Sequence, residues 1–213
     1  PSRRPTELDA FFRFVNHCAE MPPDRLQEFA ATFEANRKVL EHDPDAFNSW
    51  YTAGLMKKFV CDYEGARDIW EHAGQLRPKN SISFGALGNI YGFFLNDKAK
   101  AEANYLKAIE NEEAFKDLQR ENNAPEYTVN IQYYRDLHET YRAQGKDKEA
   151  DAIHVLERGL RVEPKASDLM VLLASYYRDN GNLPEAIRWF EESLKIAAGI
   201  CIYTNEKIVV ETL

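Results

Sequence analysis

The sequence predicts an all-α chain built from antiparallel helix pairs. Three observations predict it. A code of small and aromatic residues recurs four times along the chain. Within single copies the coded residues fall at i, i+4 and i+7, which is one face of a helix. The composition also suits a packed core: of 213 residues, 44% are hydrophobic and 12% aromatic, with 10 glycines and 9 prolines. That balance excludes a collagen-like or disordered chain. A mean hydropathy of −0.56 and the absence of any run of 18 apolar residues argue against a membrane span within the sequence. The 27 basic residues against 35 acidic ones give a net charge of −8, which argues against a dedicated nucleic-acid binder.

The first region, residues 1–46, reads as two amphipathic helices, Thr6–Glu20 and Asp24–Glu41, broken at Met21-Pro22-Pro23. They lack the small/aromatic code and are expected to form a degenerate helix pair that caps the array. The first coded unit, 47–80, carries Trp50, Ala53 and Gly54, then Ala66, Trp70, Ala73 and Pro78. The second, 81–114, carries Phe84, Leu87, Gly88 and Tyr91, then Ala101, Tyr105 and Ala108. The third, 131–166, carries Tyr134, Leu137, Tyr141 and Gly145, then Ala150 or Ala152, Leu156, Gly159 and Pro164. The fourth, 167–198, carries Met170, Leu173, Ala174, Tyr177 and Gly181, then Ala186, Phe190 and Ser193.

The residue types make physical sense. Helices of one pair cross closely, so small residues belong at the crossing: Gly54, Gly88 and Ala174 on first helices, Ala66, Ala101 and Ala186 on second ones. Trp50, Trp70, Tyr91, Tyr105, Tyr177 and Phe190 then fill the grooves beside them, and all of these but Tyr105 are singled out as largely buried. His138 stands at the crossing position of the third unit, where its ring should hold the two helices apart or turn into a gap at the unit border. Pro78 and Pro164 stop second helices, and Gly145 and Gly181 serve the turns inside pairs. The run Gly85–Gly92 lies inside a helical period with no strand before it, so close helix packing explains it better than a nucleotide loop.

This pattern resembles the tetratricopeptide repeat, a helix–turn–helix unit of 34 residues, over roughly 47–198. The resemblance implies a right-handed superhelix, an α-solenoid, whose inner wall is lined by first helices. It departs from the family in spacing. The unit starts at 47, 81, 131 and 167 are 34, 50 and 36 residues apart. The 50-residue step adds 16 residues, one in the turn before Ala101 and 15 between Glu113 and Ile131, where an insert is expected at 115–130. Asn123 and Glu126 read there as a capping box, so the third unit's first helix is expected to start near Ala124. The tail, 199–213, reads as a capping segment, helical by its position in the array although rich in β-branched residues.

No catalytic constellation, metal-ligand spacing or cofactor motif emerges. The five histidines form no HExxH and no cluster with cysteine. Cys18, Cys61 and Cys201 are odd in number and widely spaced, which predicts no disulfide framework and fits a reducing compartment.

The expected function is therefore non-enzymatic: a protein-interaction scaffold that holds a partner peptide in the inner groove. Carrying over the family's inner positions gives Asn48, Tyr51, Leu55, Lys58 and Phe59, then Ile82, Asn89 and Phe93. The C-terminal half gives Gln132, Arg135, Glu139 and Arg142, then Val171, Ser175 and Arg178. Arg135, Glu139 and Arg142 share a helical face, so Glu139 is expected either simply to pair with both arginines or to hold them for an acidic end of the partner. The family's two-carboxylate clamp needs a Lys and Asn set that is not in register here. No cofactor, direct nucleic-acid contact or membrane span is expected, and oligomerisation stays open. A second reading is structural. The layout is similar to small bacterial tetratricopeptide proteins in which an array follows an N-terminal membrane anchor; Pro1–Pro5 would then be the juxtamembrane remainder, and the domain cytoplasmic or membrane-tethered. A third is a half-a-TPR component of an RNA-processing complex, since Ala66–Glu71 resembles that motif.

Overall fold

In a computed structural model, residues 11–200 are described, and every regular element among them is helical. The chain divides into two compact units, residues 1–111 and 112–213. The first holds α1 (Pro23–His42), α2 (Phe47–Phe59), α3 (Tyr63–Leu76) and α4 (Ser81–Asn89), which runs on into a π-helical turn at Ile90–Phe94. Helix α5 (Lys98–Glu121) begins in the first unit and ends in the second. The second holds α6 (Gln132–Arg142), a 3-10 turn (Lys146–Lys148), α7 (Glu149–Val162), α8 (Ser167–Asp179) and α9 (Leu183–Ile200). Helix α2 packs on α3, α6 on α7 and α8 on α9, as the repeat code requires.

The crossings show why small residues recur. A Cβ built on Gly54 would lie 2.3 Å from Trp70 Nε1, and one on Gly88 would lie 2.6 Å from the Tyr105 ring. Both distances are far inside van der Waals contact. In the third pair the large residue has changed helix. His138 is 3% exposed and its Nδ1 lies 2.8 Å from the Ala152 carbonyl oxygen. At the corresponding place on its second helix stands Leu156, where the other second helices carry Trp70, Tyr105 and Phe190. Ala152 is buried and Ala150 exposed, which settles the register of that helix.

The joints between pairs also repeat. After α1, α3 and α7 the chain makes the same proline turn: Ala46 N–H donates to Asp43 (3.1 Å), Asn80 to Arg77 (2.9 Å) and Ala166 to Glu163 (3.0 Å). Pro44, Pro78 and Pro164 each follow the first turn residue, where a fixed φ suits the bend. Helix α1 thus ends as a second helix does. The turns inside pairs share a left-handed residue: Cys61 (φ 61°), Asn96 (φ 53°), Gly145 (φ 106°) and Gly181 (φ 75°).

The predicted helix does not run to Glu20: Phe11 is helical, whereas 13–18 belong to no regular element, and residues 6–10 lie outside the described ones. Phe12, Phe14, Asn16 and Cys18 are half-buried, whereas Arg13, Val15 and His17 are exposed, the two-residue alternation of a strand. The inward residues find partners: Phe12 stacks on Trp50 at 5.6 Å and Phe14 meets Phe33 at 4.9 Å. His17 N–H donates to the Val60 carbonyl at 2.8 Å. Lys57, 3% exposed, donates to the Arg13 carbonyl and pairs with Asp62 at 2.6 Å. The other units carry tyrosine where Lys57 stands, so this segment satisfies a charge that the repeat code would not bury. The prediction of no disulfide is corrected as well: Cys18 and Cys61 are bonded, with Cα atoms 5.1 Å apart. Two cysteines 43 residues apart carry no local signal; the folding of the segment back onto α2 brings them together.

The insert is a helix extension plus a docked loop. Helix α6 starts at Gln132, not near Ala124. Asn123 has φ 50° and closes α5 instead of capping a new helix: its N–H donates to Arg120 and that of Ala124 to Gln119. This pair of hydrogen bonds is a Schellman ending, which asparagine tolerates. The loop beyond is pinned by two carboxylates. Glu112 accepts from Tyr127 and from Asn130 N–H, both at 2.9 Å, and Glu163 accepts from Val129 N–H (2.9 Å) and Lys116 (2.5 Å). Burial and Glu112 together push the Tyr127 hydroxyl up to about 12.

Of the expected buried aromatics, Trp50, Trp70 and Tyr91 are at most 3% exposed. Tyr177 and Phe190 are only half-buried. They belong to the last described pair, and no described helix follows α9. The tail from residue 201 lies outside the described residues.

Candidate functional site

In the first unit the residues expected to face the groove are spread along the first helices, from Asn48 and Ile82 at their starts to Phe59 and Phe93 at their ends. Tyr51 is half-buried, with its ring 6.0 Å from Trp70, and burial raises its hydroxyl pKa. Its carbonyl takes the Trp70 indole N–H at 3.1 Å, so the residue is fixed by the crossing beneath it. Asn48 is exposed and Leu55 half-buried. Lys58 donates to Asn89 Oδ1 at 2.7 Å and lies 5.2 Å over the Phe94 ring, which ties α2 to the next first helix. Phe59 stacks on Phe29 of α1 at 5.2 Å yet stays 45% exposed. Ile82 and Phe93 are 40% and 57% exposed. The apolar row therefore includes Phe29 and Phe94, which the repeat code did not single out. Phe94 could have been found as the neighbour of Phe93; Phe29 could not, because α1 carries no code.

The second unit presents charges already paired. Gln132 donates to Asp136 at 2.6 Å. Arg135 binds Asp168 of α8 at 3.1 Å and not Glu139, and Arg142 approaches Glu139 at 3.8 Å. Arg178 binds its neighbour Asp179 at 2.8 Å. Glu139 therefore does not clamp two guanidinium groups. Val171 is 41% exposed, and Ser175 is half-buried beside His138 in a pocket within this unit. Beneath this face Glu113 accepts from Tyr134 (2.9 Å) and twice from Arg158 (2.8 and 2.7 Å), which orients α6 on α7.

Among the described residues, no three His, Cys, Asp or Glu side chains converge as metal ligands, and no helix is long and apolar enough to cross a membrane.

Comparison with known proteins places this geometry. A family model for the tetratricopeptide repeat matches residues 83–115 and 167–199. No curated protein matches the chain. Among solved structures, a crystal structure of MamA is similar with a TM-score of 0.62 at 17% identity, covering 85% of this chain and 98% of that one. YrrB, described as a TPR protein with an unusual peptide-binding site, gives 0.55 at 18% identity, covering 81% and 80%. PilW, described as a widely conserved type IV pilus biogenesis factor, gives 0.56 at 18%, covering 81% and 72%. Two segments of the chain thus match the tetratricopeptide repeat, and the helix pairs have the fold of the solved tetratricopeptide structures.

Proposed function

We propose that the chain is a non-enzymatic protein-interaction scaffold whose first-helix faces hold a segment of a partner protein. One observation carries this reading. The first unit buries its crossing aromatics, yet leaves Phe59 and Phe93, at the C-terminal ends of its first helices, 45% and 57% exposed, and Ile82, at the start of α4, 40% exposed. Large apolar side chains left open together mark a contact surface. The peptide-binding site of the similarly folded YrrB supports the same use of the fold. In the second unit an acidic end of the partner would have to compete with Asp168, Glu139 and Asp179 for the three arginines. The apolar row therefore supplies most of the affinity, and the arginines select the register of the bound segment.

Selection of binders from a random peptide library against the full chain tests this. Tyr51→Ala and Phe93→Ala should each weaken the selected peptides at least fivefold, with little change in salt dependence. Reversing Arg135 and Arg142 to Glu should change their salt dependence instead. Photo-crosslinks that fall only on second helices would defeat the assignment.

A further inference from the structure

The second unit contains a pocket of about 280 Å³. His138 from α6, Glu149 and Ile153 from α7, and Leu172, Tyr176 and Asp179 from α8 line it. The His138 ring sets its chemistry. The Ala152 carbonyl can only accept, so Nδ1, 2.8 Å away, carries the proton. In the neutral ring Nε2 then offers a lone pair, and the nearest acid, Glu139, is 3.8 Å away, beyond a hydrogen bond. Burial keeps the ring below the ordinary histidine pKa, so the neutral form prevails near neutrality.

The other lining groups agree in sign. Glu149 and Asp179 are carboxylates at an exposed rim; one Asp179 oxygen takes Arg178 at 2.8 Å, which leaves its other oxygen as an acceptor. Burial and the Glu149 charge raise the Tyr176 hydroxyl, so the ring stays neutral. Ile153 and Leu172 supply apolar wall. Arg142 is the one cation among the lining residues, and it lies toward Glu139. Such a cavity repels an anion, and it suits a ligand with an apolar stem and a head that only donates hydrogen bonds. A guanidinium fits better than an ammonium ion: its five N–H groups diverge in one plane toward several acceptors, and its face stacks on an aromatic ring.

We propose that this pocket takes an arginine side chain of the partner segment, its guanidinium donating to His138 Nε2 between Glu149 and Asp179. The assignment rests on the reading of first-helix faces as the partner-binding surface and adds a residue preference to it. Protonation of His138 would set a cation against the guanidinium, so binding should fade on acidification. The charged and titratable groups that act on that ring are Glu139 and Arg142 on its own helix, and those that share its pocket are Glu149 on α7 and Tyr176 and Asp179 on α8.

The test uses the full chain with Nα-acetyl-arginine methylamide as probe, at up to about 10 mM, the range of a weak side-chain site. The His138 ring resonance is followed by NMR. A saturable shift is expected with the arginine probe, none with the norleucine analogue, and loss of at least threefold in affinity in Glu149→Gln and Asp179→Asn. No shift on the native chain, an equal shift with norleucine, or a shift unaffected in the double variant would overturn the proposal. Failure here leaves the peptide selection above to decide the scaffold reading, because Tyr51 and Phe93 lie in the other unit. Selected peptides that bind through those residues without an arginine preference would refute the pocket alone.

Discussion

Gly54 and Trp70 fit each other so closely that a methyl group on the glycine would stand 2.3 Å from the indole nitrogen. Trp70 is 1% exposed and its N–H is held by Tyr51, so the ring has nowhere to move. Gly54→Ala should therefore destabilise the chain by about 1–3 kcal/mol through overpacking. Trp70→Ala should cost about 3–5 kcal/mol through a cavity. The two changes share one space, so the double variant should be more stable than the sum predicts. Denaturant titration of all four proteins measures it; strict additivity would mean the two helices cross elsewhere.

The Cys18–Cys61 link closes 43 residues of chain. Removing it with Cys18→Ser should lower stability by at most about 4 kcal/mol in the chain-entropy picture. Cys61 occupies a left-handed turn at φ 61°. Adding Cys61→Gly should accordingly recover about 1 kcal/mol, since glycine takes that conformation freely. Peptide mapping without reductant reads the link directly, and finding both thiols alkylated would remove the basis of this prediction.

Glu163 anchors both Lys116 and the backbone of Val129. Glu163→Ala should leave a buried ammonium with one carbonyl partner and release the loop at 122–131. Amide exchange at Val129 should rise at least tenfold while that of the α8 core barely changes. A uniform rise across the second unit would point instead to global unfolding.

Stability should also depend on pH through His138. Burial lowers its folded pKa, so the unfolded chain binds the proton more readily. The contribution is present above the unfolded histidine value, about 6.5. It is lost as pH falls through the lower folded value. Melting temperature should drop on acidification through that window, with less effect in His138→Asn. A variant that follows the same curve as the native chain would assign the acid sensitivity to other groups.

Much of this fold was legible because its determinants repeat locally. Gly54, Gly88 and Ala174 each announce a crossing within one helix, and Gly145 and Gly181 announce turns by their own backbone freedom. The failures have the opposite character. Phe12, Phe14 and Cys18 were read with a helical period, although their alternate spacing also fits a strand; what decided between them was Trp50, Phe33 and Cys61, all distant in sequence. Asn123 suits both ends of a helix, and only the length of α5 shows which end it serves. Arg135 was paired with Glu139 by proximity along one helix, yet the nearer carboxylate belongs to Asp168, 33 residues on. Phe59 and Phe93 were identified by position, but their exposure depends on what the neighbouring helices leave uncovered.

The single surplus residue of the second repeat is absorbed in the π-helical turn at Ile90–Phe94, where Leu95 N–H reaches back to Ile90. A helix that gains one residue would ordinarily rotate everything after it by about 100°. Here the widened turn takes up that rotation, so Ala101 and Tyr105 still arrive at their crossing with Gly88. Phe93 and Phe94, inside the widened turn, are left facing outward. Length change by one residue thus becomes a means of surface innovation: an ancestral repeat could acquire a new sticky edge in one insertion, without renegotiating its interior.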